Sequence, residues 1–159
     1  MLFFWYMLDI AIIAVDRVRN SDLSGAIAEY LIRLKPYASI RMEEVRPEAF
    51  GPGTKEKAKK AEGERILKIL GKYHKESIWL LHEKGQEFTS EDFAKKIGSS
   101  NGQAVFVIGG ALGFSDEVLN RYRQLSLSRM TMPHEMARLV LVEQIYRAAT
   151  IMRGKEYHY

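Results

Sequence analysis

The chain has no cysteine among its 159 residues. That excludes disulfide frameworks, thiolate nucleophiles and cysteine-based zinc or iron–sulfur sites, and it suits a reducing cytoplasm. The histidines (His74, His82, His134, His158) show no i,i+4 pairing with a third ligand, so no metal site is expected. A G-x-S-x-G nucleophile elbow, a G-x-x-x-x-G-K-[ST] phosphate loop and a G-x-G-x-x-G fingerprint are all missing. Long apolar runs are missing too. The apolar start is broken by Asp9, and no Lys or Arg precedes Arg17, so neither an export signal nor a membrane-spanning helix is expected. These features assign residues 1–6 to an apolar extension and residues 7–159 to a single domain.

What is present is an ordinary globular composition, 47% hydrophobic and 28% charged, in a chain long enough to hold a core without cross-links. The net charge of +4 is unevenly placed. Residues 1–120 carry 17 basic and 17 acidic residues, whereas the last 39 carry 7 basic and 3 acidic. All but one of those late cations are Arg, whose guanidinium forks match phosphate oxygens. A phosphate-bearing partner is expected, though the excess is too small for a polyanion coat.

Apolar runs alternate with helical patterns. LDIAIIAV (residues 8–15) reads as a buried strand. Asn20-Ser21-Asp22 offers caps for a helix over 23–34, which Pro36 stops. Ile40, Met42 and Val45 mark a more polar edge strand; a loop over 47–54 then leads into a charged helix opened by Thr54. The first half of that helix, KEKAKKAEGE, reads as a solvated face. Residues 77–81 form a third strand, Thr89 starts a short helix, and residues 103–108 form a fourth strand ending in GGALG. Ser115 caps a helix bearing Val118, Leu119 and Tyr122, residues 125–128 form a fifth strand, and Pro133 suits the first position of a final helix reaching Met152. The pattern is α/β, with a mainly parallel sheet and helices on both faces.

Ligands in such sheets collect at the carboxyl ends of strands. That singles out residues 81–86, the glycine turn over 109–113 and the segment SRMTMP over 128–133. Taken alone, the turn reads first as a tight strand-to-helix connection, and Met130 and Met132 as core filler. On the final helix Glu143 and Arg147 form an i,i+4 pair: a surface salt bridge, or a functional pair at a seam buried by a second subunit. The terminal Tyr157-His158-Tyr159 is either a solvated tail or a group that stacks a base and titrates.

Taken together, FVIGGALG, LSLSRMTMPHEMARLVLVEQIYRA and IMRGKEYHY resemble the small SPOUT-class methyltransferases, within them the large-subunit ribosomal RNA pseudouridine N3-methyltransferases. The resemblance implies a C-terminal trefoil knot, a homodimer with the active site at its interface, and S-adenosylmethionine as cofactor. By position it implies cofactor contacts at Leu81, Gly110, Ser128, Arg129, Met130, Thr131, Met132 and Pro133. It also implies catalysis by His158 and Tyr157 with Arg147 and Glu143, on large-subunit rRNA within the assembled ribosome. His134 is a second-rank candidate. Two departures stand out: His82 where the family commonly has an acidic residue, and Asp16 where it has glycine. The competing expectations are a non-catalytic ribosome-associated factor that keeps the fold, and a flavodoxin-like nucleotide-binding domain.

Overall fold

A computed structural model describes residues 7–157; the extension over 1–6, His158 and Tyr159 lie outside the described residues. The order of elements is β1 (Leu8–Val15), α1 (Ser21–Leu34), β2 (Ala38–Val45), α2 (Lys55–Leu70), a single 3-10 turn (Lys75–Ser77), β3 (Ile78–Glu87), α3 (Ser90–Ser99), β4 (Gln103–Ile108), α4 (Asp116–Leu119), β5 (Arg123–Ser126) and α5 (His134–Met152).

The strands form one sheet in the order β2-β1-β4-β3-β5, every pair parallel. Flavodoxin-like sheets run 2-1-3-4-5. Exchange of β3 and β4 therefore removes the flavodoxin-like alternative. The β4–β5 connection passes over β3 to reach the sheet edge.

Alternation along β1 explains the layers. Ile10, Ile12 and Ala14 face a core shared with α1, α3 and α5, through residues such as Leu34, Phe93 and Leu141. Ala11, Ile13 and Val15 face the opposite core with Ile66 and Leu70 of α2 and Val118 of α4. Both faces are covered, which is why β1 reads as a continuous apolar run. Local chemistry starts the helices as expected: Asn20 Oδ1 accepts from the Asp22 and Leu23 amides, and Thr89 Oγ1 from the Asp92 amide.

Several boundaries differ from the sequence reading; α1 starts two residues earlier, at Ser21, and β3 one residue later, at Ile78. β3 continues past Leu81 to Glu87, because its second half pairs with β5 (Gln86 with Leu125) after a register shift. β5 begins at Arg123 and ends at Ser126, with Arg123 opposite Trp79 and its guanidinium 4.0 Å from the indole centroid. α4 is a four-residue turn that stops before Tyr122. Pro133 precedes α5 with extended backbone, so it caps the helix where occupancy of its first position was expected.

Candidate functional site

A cleft of about 830 Å³ opens at the carboxyl ends of β3, β4 and β5. It brings together Leu81, Gly110, Ser128, Met130, Thr131, Met132 and Pro133, which are all the expected cofactor positions except Arg129. Arg129 is turned outward and pairs with Glu87 at 3.5 Å. One wall is apolar (Leu81, Leu127, Met132); the other is the backbone of the glycine turn, held closed by the Gly113 amide donating to Gly110 O at 3.0 Å. Small-ligand sites of this size, mostly apolar with a few placed polar groups, are the common pattern.

Both sequence departures have a structural account. Asp16 has φ +70, the left-handed conformation glycine adopts freely and Asp tolerates better than most residues. Its carboxylate accepts from the Arg17 amide and pairs with Arg19 at 3.1 Å. Burial pushes that carboxyl up, but the Arg17 amide bond and the Arg19 guanidinium together outweigh it and hold it below its ordinary value. His82 lines the cleft and its Nδ1 accepts from the Lys84 amide at 3.2 Å. The ring hydrogen therefore sits on Nε2, which presents a donor where a carboxylate would accept.

Farther along, Glu143 and Arg147 of α5 form a tight cluster with Tyr157 of the tail that follows it. Arg147 donates to Glu143 Oε1 from Nε at 3.1 Å and from a terminal nitrogen at 2.6 Å. Tyr157 donates to the same oxygen at 3.2 Å, so Tyr30, 3.3 Å away, is left as donor to Tyr157. The Tyr157 ring packs edge-on against Tyr146, centroids 4.8 Å apart, and lies 4.9 Å from the Arg147 guanidinium. Both members of the ion pair are half-buried, with 23% and 18% of their side chains exposed, so it is more than a surface salt bridge. The Glu143 hydrogen bond holds Arg147 above its ordinary value. Burial, reinforced by Tyr30 and Glu143, pushes the Tyr157 hydroxyl far up. Tyr157 thus stays protonated and acts as a donor.

The two assemblies do not meet within one chain. At 3.6 residues per turn, Glu143 and Arg147 lie about 120° around α5 from Ala137 and Leu141. His134 and Ala137 line the cleft, and Arg147 stands ~20 Å farther along the axis than His134, at ~1.5 Å per residue. The outer face also carries Met136, 39% exposed, and α1 adds Ile32 at 62%.

The late arginine excess is largely engaged inside the chain. Arg121 pairs with Glu117, Arg123 stacks on Trp79, Arg129 pairs with Glu87, and Arg153 lies over Tyr37. Arg138, 3% exposed, bridges Glu44 at 2.9 Å and Asp16 O at 2.7 Å. Arg121 and Arg129 nevertheless stay on the surface, 54% and 84% exposed, so of these only Arg138 is withdrawn from solvent by its partners. The sequence reading also missed Glu62, placed on a solvated face but only 4% exposed in the structure. Gly63 was the available clue, since a glycine inside a helix of strong helix formers marks a close approach. Among the described residues no cluster of potential metal ligands forms, and no helix is long and apolar enough to cross a membrane.

Residues 8–158 match a family described as "Predicted SPOUT methyltransferase". The chain is 45% identical over 160 residues to "Ribosomal RNA large subunit methyltransferase H" of Carboxydothermus hydrogenoformans, covering 95% of this chain and 99% of that one. It is 40% identical over 157 residues to the protein of the same name from Kosmotoga olearia, covering 96% and 100%. Among solved structures, the crystal structure of TrmJ from Z. mobilis ZM4 superposes with a TM-score of 0.51 over 91% of this chain and 70% of that one. At 12% identity, that likeness speaks for the fold alone.

Proposed function

The chain belongs to the SPOUT methyltransferase family, and from that premise we propose that it methylates N3 of a pseudouridine in large-subunit rRNA, in the assembled ribosome, using S-adenosylmethionine. The observation that carries this reading is the convergence of the three strand ends on one cleft, with an interlocked Glu–Arg–Tyr cluster farther along α5 and in the tail that follows it.

The residues present fit the cofactor. Backbone over 128–133 can meet an adenine edge, Leu81 and Met132 supply apolar walls, and the glycine turn allows close approach. When bound, S-adenosylmethionine supplies an electrophilic methyl carried on a sulfonium. The chain's own task is to deliver the nucleophile. The N3–H of the base is weakly acidic and must lose its proton with the nitrogen ~3–3.5 Å from the methyl, in line. Arg147, fixed by Glu143, stabilises the imidate charge that develops on the base carbonyls. Tyr157, kept protonated, stacks or donates and does not take the proton. His158, next in sequence, is the proposed acceptor.

Reactive geometry of ~3–3.5 Å cannot span the separation of the two assemblies within one chain. A homodimer resolves this: the outer face of α5, with its apolar Met136 and half-buried Leu139 and Val140, meets a second copy and brings one chain's cluster to the other's cleft. The C-terminal knot belongs to the same reading, supported by a β4–β5 connection that passes over β3. So does a cytoplasmic setting, where ribosomes are found.

Mass mapping of rRNA after incubation with the chain and cofactor tests the proposal. One added methyl on a pseudouridine in ribosomes, and little on free RNA, is expected. Cofactor binding with no methyl added to either substrate would leave the non-catalytic factor in its place.

A further inference from the structure

Glu62 sits directly behind the cleft. Its Oε2 accepts the Glu48 amide at 2.9 Å, while its Oε1 is buried with no hydrogen-bond partner. That oxygen lies 3.4 Å from where a Cβ on Gly110 would stand, and Gly110 lines the cleft. Helix α2 comes this close because Gly63 has no side chain: a Cβ there would lie 2.6 Å from Ser115 Oγ. Lys59, the α2 cation at the cleft, pairs with the exposed Glu56 at 3.2 Å and makes no hydrogen bond to Glu62 Oε1.

A buried carboxylate oxygen without a donor is costly, and the cost falls when a positive charge comes near. Here one layer of glycine backbone separates it from the ligand space. We propose that Glu62 sets the charge preference of the cleft, favouring the sulfonium S-adenosylmethionine over its neutral thioether product S-adenosylhomocysteine. The inference rests on the methyltransferase reading above. In the transfer, the methyl–sulfur bond breaks with its electron pair staying on sulfur. The new methyl–nitrogen bond uses the pair left when the base loses its proton. The ligand in the cleft thereby loses one positive charge and with it the attraction of Glu62, so the same residue that favours loading favours product release.

The test is titration calorimetry of the full chain, as its dimer, with each of the two ligands. The Glu62→Gln variant removes the charge and keeps the shape. Its affinity for S-adenosylmethionine is expected to fall at least about tenfold, the effect of a charge as far as ~12 Å away at an effective dielectric of ~20, while affinity for S-adenosylhomocysteine changes less than about twofold. Glu62→Met, which also removes the unpaired oxygen, is expected to show the same loss and guards against one variant failing to fold. Equal losses for both ligands, or an unchanged ratio, overturn the proposal and leave Glu62 a packing residue. Wild-type protein that binds neither ligand at millimolar concentration overturns the methyltransferase reading, and this inference with it.

Discussion

The cleft and the α5 cluster are built by opposite means. The cleft is made of backbone: a glycine turn, a loop over 128–133 and strand ends, with few ionic contacts of its own. The cluster is made of side chains locked to one another, with Glu143 Oε1 accepting from both Arg147 and Tyr157. Backbone amides and carbonyls suit the fixing of a ligand's shape, whereas a fixed arginine suits charge that develops only during reaction. Helix α5 touches both, His134 and Ala137 lining the cleft and Glu143 and Arg147 belonging to the cluster, and on the proposed function the two are joined between copies.

That contrast can be broken most severely from the cluster side. Glu143→Ala leaves Arg147 and Tyr157 without their shared acceptor, so methylation is expected to fall at least about 100-fold, with cofactor affinity held within about twofold. Single-turnover assays beside calorimetry read both. A matching loss of cofactor affinity would show that the two regions are one.

From the cleft side, Gly110→Val puts side-chain atoms where a Cβ alone would stand 2.9 Å from Val15 Cγ1. Overpacking of this kind costs about 1–3 kcal/mol. Loss of cofactor binding, and of activity with it, and a lower melting temperature are expected, while the Arg147–Glu143 pair stays formed.

Arg138 ties the root of α5 to the ends of β1 and β2. Arg138→Met leaves Asp16 O without that donor and should destabilise the fold by about 1–3 kcal/mol, read by urea unfolding. Cofactor affinity should change little.

The smallest effect is on acid stability. The Arg19 amide holds Glu135 below its ordinary value of 4.5, and Arg17 and Arg19 hold Asp16 below 3.8. Groups with a lowered folded value stabilise the protein above their unfolded value, and that contribution is lost as pH falls through the folded one. Stability should therefore be flat from neutral pH to about 5 and decline below about 4.5. An Asp16→Gly variant, which also frees the strained backbone, should decline less steeply.

Sequence legibility followed burial. β1 and β4 were read to the residue because both faces of each are covered, leaving uninterrupted apolar runs. The second half of β3, HEKGQE, carries no such pattern; only pairing to β5 makes it a strand, and that partner is distant in sequence. The cleft was legible through strand ends and glycines, which mark backbone approach. Glu62 and Arg138 were not, because each is buried by a contact far along the chain, with Glu48 and Gly110 in one case and Asp16 and Glu44 in the other. The arginine count shows the same limit at one position: composition does not say that Arg138 finds its partners inside.

The central claim is that each working site takes its cleft from one copy and its cluster from another. Subunit complementation tests it most directly: Gly110→Val and Arg147→Ala proteins, each inactive alone, are unfolded and refolded together before assay on ribosomes. A composite site predicts recovery of about a quarter of wild-type activity, since about half the dimers are mixed and each mixed dimer holds one intact site. No recovery, with mixed dimers shown to have formed, would contradict it.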